Sequence, residues 1–188
     1  MLNKKVLVKS ITSLSEARYC AGMFVDYISF DLNEESDYYI PKKKFEEIRG
    51  WVSGVKILGS LHTSDISLIN DALAEYGLDG FLFSPGQFHL LPLVDAPVKV
   101  LEWSDDVAML PFIPDPEVIL LLTSPGTVTE NQLTDLDNEI LQGFDFENVK
   151  SEPERINGFA FMGSFETQVG INSYSGLMEA LEYIEENY

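Results

Sequence analysis

Two charged residues stand within apolar, strand-like runs, Lys9 in the first run and Glu102 near the end of the fifth. Alternation along the first run puts Val6 and Val8 on one face and Leu7 and Lys9 on the other. A lysine that faces an interior must be paired or must reach water, because burying an isolated charge is costly. Glu102 is the candidate partner. The two would form either a catalytic dyad or an ion pair that closes a site, unless a water or ligand bridges them.

The other residue types with chemical potential are scarce. His62 and His89 each follow a strand-like run and are candidates for acid–base chemistry, although neither has an evident partner. Cys20 is the single cysteine, so no intrachain disulfide can form, and its place inside a helix favours a small buried apolar role. One cysteine and two histidines argue against a zinc site, so we expect no metal and no cofactor.

The elements that must position these residues alternate along the chain. Helix signals separate the apolar runs, among them Ser13–Glu16 as a capping box, Pro41 as a first helical residue, Ser64–Tyr76, and Tyr174–Tyr188. The eight apolar runs are Val6–Ile11, Asp26–Leu32, Val55–Leu61, Leu78–Phe83, Val98–Trp103, Val118–Thr123, Glu139–Leu141 and Phe159–Met162.

This order predicts an α/β fold with parallel strands and right-handed crossovers, in a single domain over residues 1–188. Eight strands favour a closed (β/α)8 TIM barrel, and an open doubly wound sheet is the alternative. Such barrels typically take about 250 residues, so several outer helices must be shortened or missing. Helical signals are weakest at Pro85–Val94, Ser104–Pro116 and Gly126–Asn138.

Composition limits the partners. The chain has 31 acidic against 12 basic residues, a net charge of −19, and this field repels nucleic acid and anionic membranes. It also opposes anionic substrates unless a local cationic pocket overrides it. The N-terminus lacks a signal-peptide core, and no run approaches the roughly 20 apolar residues of a membrane span. We therefore expect a cytoplasmic protein, and its oligomeric state is not indicated.

Several segments, in register over nearly the whole chain, resemble the phosphoribosylanthranilate isomerase family of tryptophan biosynthesis. Leu7–Thr12 (LVKSIT) is similar to the family's K-[IV]-C-G-[IL]-T, and Ile119–Thr123 (ILLLT) is similar to its L-L-D-T. Leu141–Val149 (LQGFDFENV) resembles S-G-G-L-x-P-x-N-V. The resemblance implies a barrel and an Amadori rearrangement, in which the Cys of the first motif is the base and the Asp of the second is the acid.

The chain departs from this pattern at the residues that carry the chemistry. Lys9 stands at the Cys position, Ser10 at the following Gly, Leu122 at the Asp, and Tyr38 where the family has an Arg near the anthranilate. The family holds a phosphate with backbone N–H groups after strands seven and eight. The resemblance thus implies an anion between Gly143 and Gly163–Ser164, although these glycines could simply make turns.

Three hypotheses remain open from the sequence. The chain is a diverged, inactive or ligand-binding homologue (a pseudoenzyme) that acts as a binding or regulatory protein, with a small phosphorylated molecule as a candidate ligand. Alternatively, it is an enzyme with altered chemistry that uses Lys9 as a cation, base or Schiff-base former. The third possibility is the same isomerase with a rearranged site. The candidate catalytic residue is Lys9, and the candidate ligand-binding residues are Gly143, Gly163, Ser164, Tyr38 and Glu102.

Overall fold

The chain folds into a closed parallel barrel of eight strands. The structure is a computed structural model that describes residues 2–103, 115–123, 136–145, 149–150, 155–164, 166–168, 171–172 and 175–188. The strands are β1 Lys5–Lys9, β2 Tyr27–Asp31, β3 Lys56–Ser60, β4 Gly80–Phe83, β5 Val98–Trp103, β6 Ile119–Leu122, β7 Ile140–Gly143 and β8 Gly158–Met162. Each pairs with its neighbour in chain order, and β8 pairs with β1 over five residues. The predicted barrel is therefore confirmed, and the open sheet is wrong.

The strands bury both faces, which explains why they read as continuous apolar runs. One face points into the barrel, where nine side chains form an inner cluster: Leu7, Tyr27, Leu58, Leu82, Val100, Ile119, Leu121, Leu141 and Ala160. The other face packs against the helices. Val6, Val8 and Phe30 lie in this outer cluster together with helical residues such as Ile48 and Leu181.

The helices are α1 Leu14–Gly22, α2 Lys42–Arg49, α3 Ile66–Tyr76 and α4 Ser175–Asn187. After β4 the chain makes a short 3₁₀ helix, Pro85–Leu90, in place of an α-helix. This shortening falls in a segment where we predicted weak helicity. The other two such segments, Ser104–Pro116 and Gly126–Asn138, lie largely outside the described residues. No helix among the described ranges is long and apolar enough to cross a membrane.

Helix α1 begins with half of the predicted capping box. The Ser13 hydroxyl accepts the Glu16 N–H at 3.3 Å, as predicted. The Glu16 carboxylate, however, does not return to the Ser13 backbone; it is buried and accepts hydrogen bonds from Ser164. The first turn of α1 is thereby tied to the loop after β8. Beyond that loop, β9 Glu166–Gln168 and β10 Ile171–Asn172 form a small antiparallel pair that the sequence did not predict.

Candidate functional site

A cavity of about 220 Å³ opens at the C-terminal ends of the strands, the face on which barrel enzymes carry their sites. Strand ends contribute Lys9, Asp31, Ser60, Glu102 and Met162, and the following loops contribute Ser10, Tyr38, His62 and Ser84, with Leu82 also lining the cavity. These residues come from β1 to β5 and β8. The cavity thus gathers two carboxylates, one amine, one imidazole and several hydroxyls around a small apolar surface.

Lys9 and Glu102 form a direct ion pair across this mouth. In an eight-stranded ring β1 and β5 lie on opposite sides, so the two long side chains meet above the inner cluster. Their side chains are only 21% and 14% exposed, and the Lys9 ammonium also lies 5.8 Å from the centre of the Phe144 ring. Of the arrangements left open by the sequence, the structure has the direct pair, with no bridging group between the charges.

The backbone next to Lys9 adopts an unusual conformation. Ser10 has a φ of +59°, in the left-handed region, which costs a non-glycine residue about 1–2 kcal/mol. Ser10 is buried, and its N–H donates to the Ser29 hydroxyl at 3.2 Å. The resemblance puts a glycine at this position, and the observed φ supplies the physical reason for one. Surrounding contacts must therefore hold Ser10 in place immediately after Lys9.

Asp31 is the second carboxylate of the cavity, and its orientation is fixed by Asn33. The backbone N–H of Asn33 donates to Asp31 Oδ1 at 3.0 Å, and the Asn33 side-chain amide donates to the same oxygen. Asn33 Oδ1 in turn accepts the backbone N–H of His62 at 2.6 Å. Asp31 Oδ2 accepts no hydrogen bond from any described residue. One oxygen is thus held by the protein while the other remains open to a ligand.

Gly143, Gly163 and Ser164 do not line this cavity. The Gly163 N–H donates to the Lys9 carbonyl at 2.6 Å, and the Ser164 N–H and hydroxyl donate to Glu16 Oε1 at 2.9 and 3.0 Å. Burial raises the pKa of Glu16, and the two hydrogen bonds from Ser164 act in the opposite direction. The backbone donors of Gly163 and Ser164 therefore already have acceptors within the protein. Whether an anion binds between these loops stays a prediction.

Leu122, which the resemblance aligns with the Asp of the family, does not face the barrel interior. Its side chain lies in the outer cluster, whereas Leu121 faces the barrel interior beside Glu102. Thr123 follows and donates its hydroxyl to the Trp103 carbonyl at 3.2 Å. Leu122 therefore cannot occupy an inward-facing acid position, because it points at the helix layer. Neither of the flanking residues carries a carboxylate.

The remaining candidates separate into those at the mouth and those elsewhere. Tyr38 and the exposed His62 line the cavity, whereas exposed His89 packs edge-on against Phe88 at 5.7 Å between ring centres. Cys20 is buried on α1, and burial raises the pKa of its thiol.

Asp31 and Ser60 line the cavity but were not predicted as site residues from the sequence. Within the described ranges, no group of His, Cys, Asp and Glu is arranged to hold a metal ion.

Several solved structures have a fold similar to that of this chain. The chain superposes on phosphoribosyl anthranilate isomerase from Thermotoga maritima with a TM-score of 0.74 and 15% identity, over 98% of each chain. For the Pyrococcus furiosus N-(5'-phosphoribosyl)anthranilate isomerase the TM-score is 0.69 at 15% identity, over 97% of this chain and 99% of that one.

A third neighbour, KGPDC from Streptococcus mutans, has a TM-score of 0.58 at 14% identity, over 99% and 97% of the two chains. No protein-family model and no curated protein sequence matches this chain. Identities this low establish the fold and leave the activity to be argued from the site. The fold of this chain is therefore that of the phosphoribosylanthranilate isomerases.

Proposed function

We propose that this chain is a diverged relative of the phosphoribosylanthranilate isomerases that binds a small molecule at the barrel mouth and does not catalyse the Amadori rearrangement. The observation that carries this proposal is the ion pair between Lys9 and Glu102 in the middle of the mouth. It engages the one amine of the cavity and the carboxylate that faces it.

The rearrangement needs a base that removes a proton from C2 and an acid that protonates the ring oxygen. In the ion pair the Lys9 ammonium donates to a Glu102 carboxylate oxygen, and an ammonium has no lone pair with which to accept a proton. The same pairing opposes Lys9 as a Schiff-base former, because that chemistry also needs the neutral amine. At the end of β6, Leu121, Leu122 and Thr123 offer no acid.

A binding role fits the polar lining better than a closed scaffold does. A purely structural barrel gains stability by filling its mouth with packed side chains. The mouth instead holds a space of about 220 Å³ lined in part by Asp31, Ser60, His62 and Tyr38. A cavity with this polar lining supports a small polar ligand.

The test is complementation of a tryptophan auxotroph that lacks the isomerase. Loss of one member of an acid–base pair typically lowers the rate by about 10²- to 10⁴-fold, so we expect no growth without tryptophan. The Thermotoga maritima enzyme, expressed from the same vector, is the positive control, and immunoblotting verifies that this chain accumulates. Consumption of N-(5-phosphoribosyl)anthranilate by the purified protein supplies a second readout. Normal growth, or turnover near that of the control, would contradict the proposal.

A further inference from the structure

We infer that the ligand of the mouth cavity carries a protonated amine, and that Asp31 is the carboxylate that receives it. This inference rests on the proposed binding function and specifies the chemical class of the ligand. It differs from what the resemblance implies, which is a phosphorylated and therefore anionic molecule.

The charges around the cavity support a cation. The Lys9 ammonium is neutralised by Glu102, so among the acidic and basic side chains that line the cavity Asp31 is left without a countercharge. The lining therefore carries one net negative charge when His62 is neutral. The whole chain adds a background of −19, so the potential at the mouth attracts cations and repels phosphate.

Asp31 is also held in position before any ligand arrives. Its backbone carbonyl accepts the Ile40 N–H at 3.0 Å, and the residue forms an isolated parallel bridge with Tyr39. Asn33 fixes Oδ1, which leaves Oδ2 for a ligand. A carboxylate already fixed in orientation loses little freedom on binding, so a single charge-assisted hydrogen bond is effective there.

Size and polarity narrow the class further. A cavity of about 220 Å³ has the volume of roughly seven water molecules. Leu82 and Met162 offer apolar contact for a short carbon chain, and the Ser60 hydroxyl offers a hydrogen bond to a second polar group. These features fit a small aliphatic amine with a hydroxyl or similar substituent.

The experiment is an NMR titration of the ¹⁵N-labelled protein with three probes. These are 3-amino-1-propanol, the nearly isosteric but uncharged 1,3-propanediol, and inorganic phosphate. We expect the amine to shift the Asn33 side-chain amide and the backbone amides around Ser60, with a Kd of about 1 mM or tighter. The diol should bind at least about tenfold more weakly, because it lacks the charge that pairs with Asp31.

Two variants with the same change of charge complete the test. Asp31→Asn keeps an acceptor for Asn33 and should lower the affinity for the amine at least about tenfold, to that of the diol. Asp71→Asn, at an exposed position on α3 away from the cavity, should leave the amine affinity unchanged. The amide spectrum of each variant reports whether the barrel is intact.

Equal affinity for amine and diol would overturn the inference, and so would an unchanged amine affinity in Asp31→Asn or the absence of any shift with the amine. The inference would also be overturned if phosphate shifts the amide signals of Gly163 and Ser164 while the amine shifts none. That result would still agree with a barrel that binds a ligand. Growth of the complemented auxotroph would instead defeat the proposed function itself, so the two failures are distinguishable.

Discussion

At the scale of single residues, the pair of Lys9 and Glu102 makes a prediction about stability. Glu102→Leu leaves the mostly buried Lys9 ammonium without its partner. Lys9→Met likewise leaves the mostly buried Glu102 carboxylate without its partner. We expect each single change to lower the free energy of unfolding by about 1–3 kcal/mol. The double variant should lose much less than the sum, because it buries no unpaired charge.

Urea denaturation of the four proteins in this cycle measures the coupling. The matched control is the same cycle at Lys42 and Glu75, an ion pair whose side chains are 42% and 55% exposed. Water screens that pair, so its coupling should be too small to resolve. Additive effects at Lys9 and Glu102 would contradict the direct ion pair.

Glu16 makes a prediction about pH. Burial raises its pKa above the ordinary value of 4.5, so the folded state holds the proton more tightly than the unfolded chain does. The contribution of Glu16 to stability is therefore greatest below that ordinary value and is lost as the pH rises through the raised one. Glu16→Gln cannot ionise, so its stability relative to the wild type should increase with pH above about 4.5.

Urea midpoints of wild type and Glu16→Gln, compared at intervals from pH 4 to pH 8, measure this difference. Glu117→Gln, an exposed position, is the control and should show no comparable trend. A difference between wild type and Glu16→Gln that stays constant or shrinks with pH would show that the Ser164 hydrogen bonds outweigh the effect of burial.

The sequence predicted some of these residues and missed others for a physical reason. Alternation in β1 put Lys9 on the face of Leu7, and the structure has that orientation. In β2, Tyr27, Ser29 and Asp31 share one face of the strand, and Ile28 and Phe30 share the other. Because Tyr27 faces the barrel interior, the same alternation directs Asp31 inward. That signal was available, but the hydrogen bonds from Asn33 depend on a loop conformation that no periodicity encodes.

At the scale of elements, the seam between β1 and β8 depends on a glycine after β8. A Cβ on Gly163 would lie 2.7 Å from the Ser10 carbonyl oxygen and 3.0 Å from that of Lys9, and backbone atoms cannot easily retreat. Gly143, at the end of β7, would place its Cβ 3.3 Å from a Leu121 methyl group, which can rotate. We expect Gly163→Ala to cost about 1–3 kcal/mol and Gly143→Ala markedly less.

Thermal or urea unfolding of the two alanine variants checks this ordering, and amide hydrogen exchange of β1 and β8 shows where Gly163→Ala acts. Equal losses in the two variants would mean that the seam tolerates an added methyl group. Because the clash involves the carbonyls of Lys9 and Ser10, the Gly163→Ala variant should also shift the NMR signals of the residues that line the mouth cavity.

Elements were predictable where local chemistry decides them. Apolar runs and the Ser13 hydroxyl marked β1 and the start of α1 to within a residue or two. The capping box failed in its second half because Ser164, which is far away in the sequence, competes for the Glu16 carboxylate. Strands as short as β9 and β10 show no periodicity, so their pairing could not be foreseen.

At the scale of the whole molecule, eight parallel strands that each bury both faces form a ring, which the pairing of β8 with β1 closes. The short 3₁₀ helix after β4 is one of the connections that allow a barrel to be completed in 188 residues. The order of elements, which is a property of the entire sequence, predicted this architecture. The chemistry of the mouth could not be predicted in the same way, because it depends on which side chains meet across the ring.

The salt link between β1 and β5 has a mechanical consequence. A closed ring deforms most easily by flattening into an oval. One diameter then shortens while the perpendicular diameter lengthens. The Lys9–Glu102 link spans a diameter at the open rim and therefore opposes separation of β1 from β5. We expect a ligand to fit the opening on the Asp31 side without lengthening this diameter, because lengthening it would break the ion pair.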